Sequence, residues 1–79
     1  MKLSIISLQG IAFEGEAKSL NIKTQSGDIT ILDNHRPLVT LLKSGSATVL
    51  DEKGSARQFD INGGFLEVND HNECSVLVS

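Results

Sequence analysis

The feature that most constrains this chain is its periodicity. Across most of the 79 residues, apolar side chains recur at every second position. That spacing sends successive side chains to opposite faces of an extended backbone, and it does not build the one-sided stripe of a helix. Leu20, Ile22 and Thr24 alternate with Asn21, Lys23 and Gln25. Phe59 and Ile61 alternate with Gln58 and Asp60, and Cys74, Val76 and Val78 with Ser75, Leu77 and Ser79. Leu3, Ile5 and the Ile6-Ser7-Leu8 continuation form a first strand, and Ala47 and Val49 belong to another.

Turn chemistry punctuates these runs at Gln9-Gly10, Ser26-Gly27, Asp51 to Gly54, Asn62-Gly63-Gly64 and Asn69 to Asn72. Short alternating strands with turns about every 8–12 residues predict an all-β fold, a small β-sandwich of about ten strands in two sheets. Gly15, inside the run that begins at Ile11, predicts a bulge or bend. The Gly63-Gly64 pair reads as a conformational need for positive φ. No stretch supports a helix of ordinary length, and residues 1–79 read as one domain.

A chain this short buries only about 60% of its unfolded surface, so it depends on tight packing or on a partner. The net charge of −3 and the scattering of seven Lys and Arg argue against nucleic-acid binding. No apolar run approaches bilayer length and no secretory signal pattern opens the chain, which predicts a soluble, cytosolic protein. The lone Cys74 excludes an internal disulfide and reads as a small buried hydrophobe. Three Phe, with neither Trp nor Tyr, leave little for stacking on bases or sugars.

The stretch Ser26 to Gly45 sets a polar turn, Asp33-Asn34-His35-Arg36-Pro37, between two apolar strands. Asp33 two residues before His35 permits a carboxylate–imidazole contact, although turn geometry is the commoner reason for such residues. His71, between Asp70 and Asn72, reads as a solvated turn residue. No nucleophile elbow, phosphate-binding glycine loop or metal-ligand spacing occurs. The prediction is therefore no catalytic, cofactor or metal site. Leu38 to Leu42 is apolar on both faces, so this strand is either covered twice or exposed for docking.

Several segments together resemble a known family. They are Gly27-Asp28, the run from Ile31-Leu32 through His35, Pro37-Leu38, Thr40 and Leu42-Lys43 to Gly45, and Gly63 to Val68. Phe13, Gly15 and Val76-Leu77 fit the same pattern. The chain resembles the amino-terminal domain of the epsilon subunit of rotary ATP synthases, called delta in mitochondria. The resemblance implies a ten-stranded sandwich acting as a non-catalytic rotor part that couples ATP synthesis to proton transport. It implies docking of one face on the gamma subunit, and of a loop end on the membrane-embedded proton-carrying ring. Direct lipid insertion is not implied, nor is a cofactor. By match, ring contact falls to Asp28, Asn34 and His35, and gamma contact to Ser7, Thr40, Leu42, Ser75 and Leu77. Leu42 and Leu77 are accordingly expected to be exposed. The implied location is a peripheral complex on the cytoplasmic face of a bacterial plasma membrane.

Two departures stand out. Asp33 and Ser44 occupy positions where the family usually carries proline, and Asp33 is expected to replace it through an Asx-type bond in a softer loop. The sequence also stops at Ser79, before the two-helix hairpin of many members. Taken as the natural end, this implies coupling without helix-mediated inhibition or ATP sensing. The competing reading is a small-ligand-binding sandwich with its pocket at the Asp33 to Arg36 loop.

Overall fold

The computed structural model describes residues 1–79 and contains strands but no helix. In chain order the strands are β1 (Lys2–Ser7), β2 (Gly10–Thr24), β3 (Gly27–Leu32), β4 (Leu38–Leu42), β5 (Gly45–Asp51), β6 (Ala56–Ile61), β7 (Gly64–Val68) and β8 (Glu73–Val78). Eight strands, fewer than the expected ten or so, result partly because the runs at Ile11 and Leu20 belong to one strand, β2.

Fifteen extended residues measure roughly 50 Å, whereas the longest dimension of the molecule is 26 Å. β2 must therefore fold over. Its first half pairs with β1, and its second half pairs with β3 and β5. One layer is thus β4, β7, β8, β1 and the start of β2, and the other is β3, the end of β2, β5 and β6. The β1–β8 pair is parallel, while the other strand pairs are antiparallel. The register slips at Ala12 and at Lys18, each an extra β2 residue without an opposite partner. Gly15, expected to mark a bulge or bend, is itself paired with Leu3 and lies between these two slips.

Alternation then fills the space between the layers. Leu3, Ile5, Leu20, Ile22, Ile31, Val49, Leu66 and Val76 are fully buried in one continuous apolar cluster. Cys74 joins them, as its alternation predicted. On the open side, Phe13 meets Phe59 edge-to-face at 6.1 Å between ring centres. The Arg57 guanidinium lies over both rings, 5.4 and 5.1 Å from their centres.

The molecule has two distinct ends. At the first, turns rich in glycine are tied together: Lys43 N–H donates to the Lys23 carbonyl, Gln25 N–H to that of Leu41, and Ser79 N–H to that of Gly63. At the second lie Met1, the Asp33 to Pro37 loop and the Asn69 to Asn72 turn. There Lys2 N–H donates to the Asn72 carbonyl, and Asn34 N–H to the Asn72 Oδ1 at 2.7 Å.

Candidate docking face

Five strands of the first layer turn one face outward, and their registers align apolar residues across it. Leu41 faces Phe65, Phe65 faces Leu77, Leu77 lies beside Ile6, and Ile6 faces Ile11. With strands about 4.8 Å apart, this row runs roughly 19 Å across the sheet. Leu41, Phe65, Leu77 and Ile11 remain 53%, 52%, 50% and 61% exposed. Val39 extends the patch along β4 and is also exposed. On the outer face of the second layer, by contrast, Thr30 pairs with Asn21 and Asn21 with Thr48, and Asn21 Nδ2 donates to Thr30 Oγ1 at 3.0 Å. Apolar side chains lined up across one sheet face and left in water form the kind of patch that marks an interaction surface.

The expected gamma-facing residues divide between the two sides of this layer. Ser75 and Leu77 point outward with the row. Leu42 is buried at 4% exposure, contrary to expectation, because it shares the inward side of β4 with Leu38 and Thr40. Thr40 sits opposite the buried Leu66, and Ser7 continues the inward side of Leu3 and Ile5. The outward apolar residues of β4 are thus Val39 and Leu41, and β4 is not covered on both faces. The sequence reading missed them, together with Phe65, Ile6 and Ile11. The signal was present: apolar residues at the polar parity of neighbouring strands that share a register.

The expected ring-facing residues do not form one loop end. Asp28 lies at the first end, where β3 begins, whereas Asn34 and His35 lie beyond its far terminus. The Asp28 turn is firmly set. Thr24 Oγ1 donates to the Gly27 carbonyl at 2.7 Å and accepts from Ser26 N–H at 3.1 Å. The Lys23 ammonium reaches the Asp28 carboxylate at 3.2 Å, and both remain substantially exposed.

At the second end the loop is tied inward. Asp33 does not make an Asx-type turn; its carboxylate accepts from the Met1 ammonium and from Asn72 Nδ2. The bond from the ammonium is the chief cause that holds the Asp33 carboxyl below its ordinary value, followed by the bond from Asn72. His35 Nδ1 contacts the Arg36 carbonyl at 2.8 Å, so Asp33 and His35 do not form a pair. The open depression here, about 240 Å³, is lined without a single hydrophobic residue, unlike the mostly apolar pockets that hold small ligands. Burial pushes the Cys74 thiol up to about 12. His71 is exposed and contacts the Asp70 carboxylate at 2.9 Å.

The fold and this surface define a class: a small all-β sandwich domain with an exposed apolar row across one sheet. The chain belongs to the family of the ATP synthase delta/epsilon chain β-sandwich domain, whose model matches residues 1–79. It is 39% identical over 71 residues to the ATP synthase epsilon chain of Alkalilimnicola ehrlichii, covering 90% of this chain and 51% of that one. It is 42% identical over 64 residues to the epsilon chain of Chromohalobacter salexigens, covering 81% and 45%. The chain thus spans about half the length of these curated relatives. Among solved structures, a chain of the Euglena gracilis mitochondrial ATP synthase (OSCP/F1/c-ring) superposes with a TM-score of 0.90 at 27% identity, covering 96% of this chain and 48% of that one. A chain from the Tetrahymena thermophila enzyme shares the fold, with a TM-score of 0.80 at 19% identity, covering 99% and 62%.

Proposed function

We propose that this chain is a non-catalytic central-stalk module of a proton-translocating ATP synthase, joining the gamma subunit to the membrane ring. The observation that carries the reading is the exposed row from Leu41 to Ile11 on a domain of this family. A standard interface buries roughly 800 Å² on each partner. Five of the seven large hydrophobic residues left exposed lie on the first layer's outer face, which can supply it.

Ring contact is best assigned to the Asp28 end. The Asn34 N–H is tied to Asn72 Oδ1 of the neighbouring turn and His35 Nδ1 to the Arg36 carbonyl, whereas the Asp28 carboxylate meets only the exposed Lys23. The apolar row also runs one residue from the first end, beside Leu42, Gly64 and Val78, so gamma and ring would occupy adjoining surfaces. Such a module works at the membrane surface as a peripheral part of the complex, on the cytoplasmic face in a bacterium. Mechanically it acts as a clamp: stiff body, apolar side against the shaft, polar end against the ring.

The test is co-purification with the gamma subunit from the same source on a sizing column. A one-to-one complex is expected for the natural chain, and loss of that complex for Phe65→Ser and Leu77→Ser. Indifference to gamma at micromolar concentration would leave the fold intact and remove the role.

A further inference from the structure

Behind the apolar row, the same face carries a band of acid. Val39 faces Glu67, Glu67 faces Ser75, Ser75 lies beside Ser4, and Ser4 faces Glu14. In the next rank, Lys2 stands between Glu73 and Glu16. Four carboxylates thus meet one lysine, an excess equal to the net charge of −3 carried by the whole chain. Glu67 is the central member. It is exposed and has no ion pair, it is the neighbour of Phe65 two positions along β7, and Val39 and Ser75 flank it across the sheet.

A partner that covers the row also covers Glu67. A carboxylate removed from water without a cation costs several kcal/mol, so a partner lacking one would be rejected. We propose that the docking partner lays a band of lysine or arginine along Glu67 and Glu14, parallel to the apolar strip that meets Leu41, Phe65 and Leu77. The row supplies adhesion, and the acid band fixes which way round the partner sits. Either contact alone permits a slide along the sheet or a half-turn about its normal; a row and an offset band of charge permit neither. This inference rests on the docking reading above, and it adds the charge pattern that the gamma subunit must present.

The experiment measures association of the full chain with gamma as salt is raised from about 0.05 M to about 1 M, where the screening length falls to roughly 3 Å. The chain with Glu14 and Glu67 both replaced by Gln is measured beside it, with Glu52→Gln and Asp60→Asn together, on the other layer, as a charge-matched control. Affinity of the natural chain is expected to fall steeply with salt. The double variant is expected to bind about tenfold more weakly at low salt and with a flatter salt dependence, while the Glu52→Gln, Asp60→Asn control tracks the natural chain. Tight binding by the natural chain with the double variant unchanged would overturn the acid-band assignment and leave the docking reading standing. Equal losses in the double variant and in the Glu52→Gln, Asp60→Asn control would overturn it as well, reducing the effect to net charge. Failure of the natural chain to bind gamma at any salt would remove both.

Discussion

Leu41 and Leu42 are neighbours in sequence and stand on opposite sides of β4, one 53% exposed and the other 4%. One peptide bond therefore separates a residue of the exposed apolar row from a core residue. Leu42→Ala removes buried methyl groups beside Gly64 and is expected to cost about 2–5 kcal/mol of folding stability. Leu41→Ser removes no core contact, so its effect on stability is expected within about 0.5 kcal/mol, with the loss appearing in gamma binding. Urea denaturation of both variants, beside the sizing assay, separates the two roles. Destabilisation by Leu41→Ser with Leu42→Ala nearly neutral would mean that the side assignment of β4 is inverted.

This pair also shows what was legible in the sequence. Alternation gave the strand class, the inward side of β2 and the burial of Cys74, because those strands keep one wet face. In β4 both parities are apolar, so periodicity carried no sign, and family resemblance alone selected Leu42. A one-residue error in parity exchanges core for surface. The separation of Asp28 from His35 was hidden for a different reason. They lie seven positions apart in sequence, and only the unbroken β3 between them carries the chain from one end to the other. The Asp33 contact was equally hidden, since it joins residues brought together by the parallel β1–β8 pairing and the turn beyond it.

Cys74 offers a probe of how firmly the layers close. Its thiol, pushed up to about 12 by burial, holds roughly one thiolate in ten thousand at pH 8. Thiol reagents attack the thiolate, so labelling of the native protein is expected to be limited by opening of the β1, β7 and β8 layer. In urea above the unfolding midpoint the reaction is expected to become fast. Rapid labelling of the native state would place Cys74 at the surface.

Asp33 supplies a pH dependence with a definite sign. Its carboxyl is held below the ordinary value of 3.8 in the folded state, chiefly by the Met1 ammonium. A depressed carboxyl contributes stability fully above the unfolded value, and that contribution is lost as pH falls through the lower folded value. Stability of the natural chain is thus expected to decline below about pH 4, and part of that decline to vanish in Asp33→Asn. Thermal melts from neutral pH down to acid follow it directly. An identical acid limb in the variant would show that the bond is not made in solution.

Gly64 is where backbone and neighbour both demand glycine. Its φ is +128°, and a Cβ there would fall 1.9 Å from the Leu77 carbonyl oxygen. Any side chain must therefore force β7 away from β8, where Gly64 pairs with Val78. Gly64→Ala is expected to cost more than the about 1–3 kcal/mol of backbone strain alone. Because that shift would move Phe65 against Leu77, it is also expected to weaken gamma binding in whatever fraction stays folded. Denaturation midpoints and the sizing assay on the same sample report both effects, and a variant as stable as the natural chain would refute the register of these strands.

The two ends of β3 make the last prediction. Between Asp28 and Leu32 alone the strand spans about 13 Å, and His35 lies further on, beyond the turn at Asp33. In a molecule 26 Å long, a ring surface that meets one end end-on does not reach the other. If the first end meets the ring, Asp28→Lys should place a cation beside Lys23 where a carboxylate stood and loosen coupling, seen as ATP hydrolysis that drives less proton pumping in membranes carrying the reassembled enzyme. His35→Ala should leave that ratio unchanged, since its ring contacts its own loop at the far end. The opposite result, with His35→Ala uncoupled and Asp28→Lys silent, would turn the domain end for end on the ring while leaving the apolar face on gamma. Measured together, the two variants therefore fix the orientation of the module without a structure of the complex.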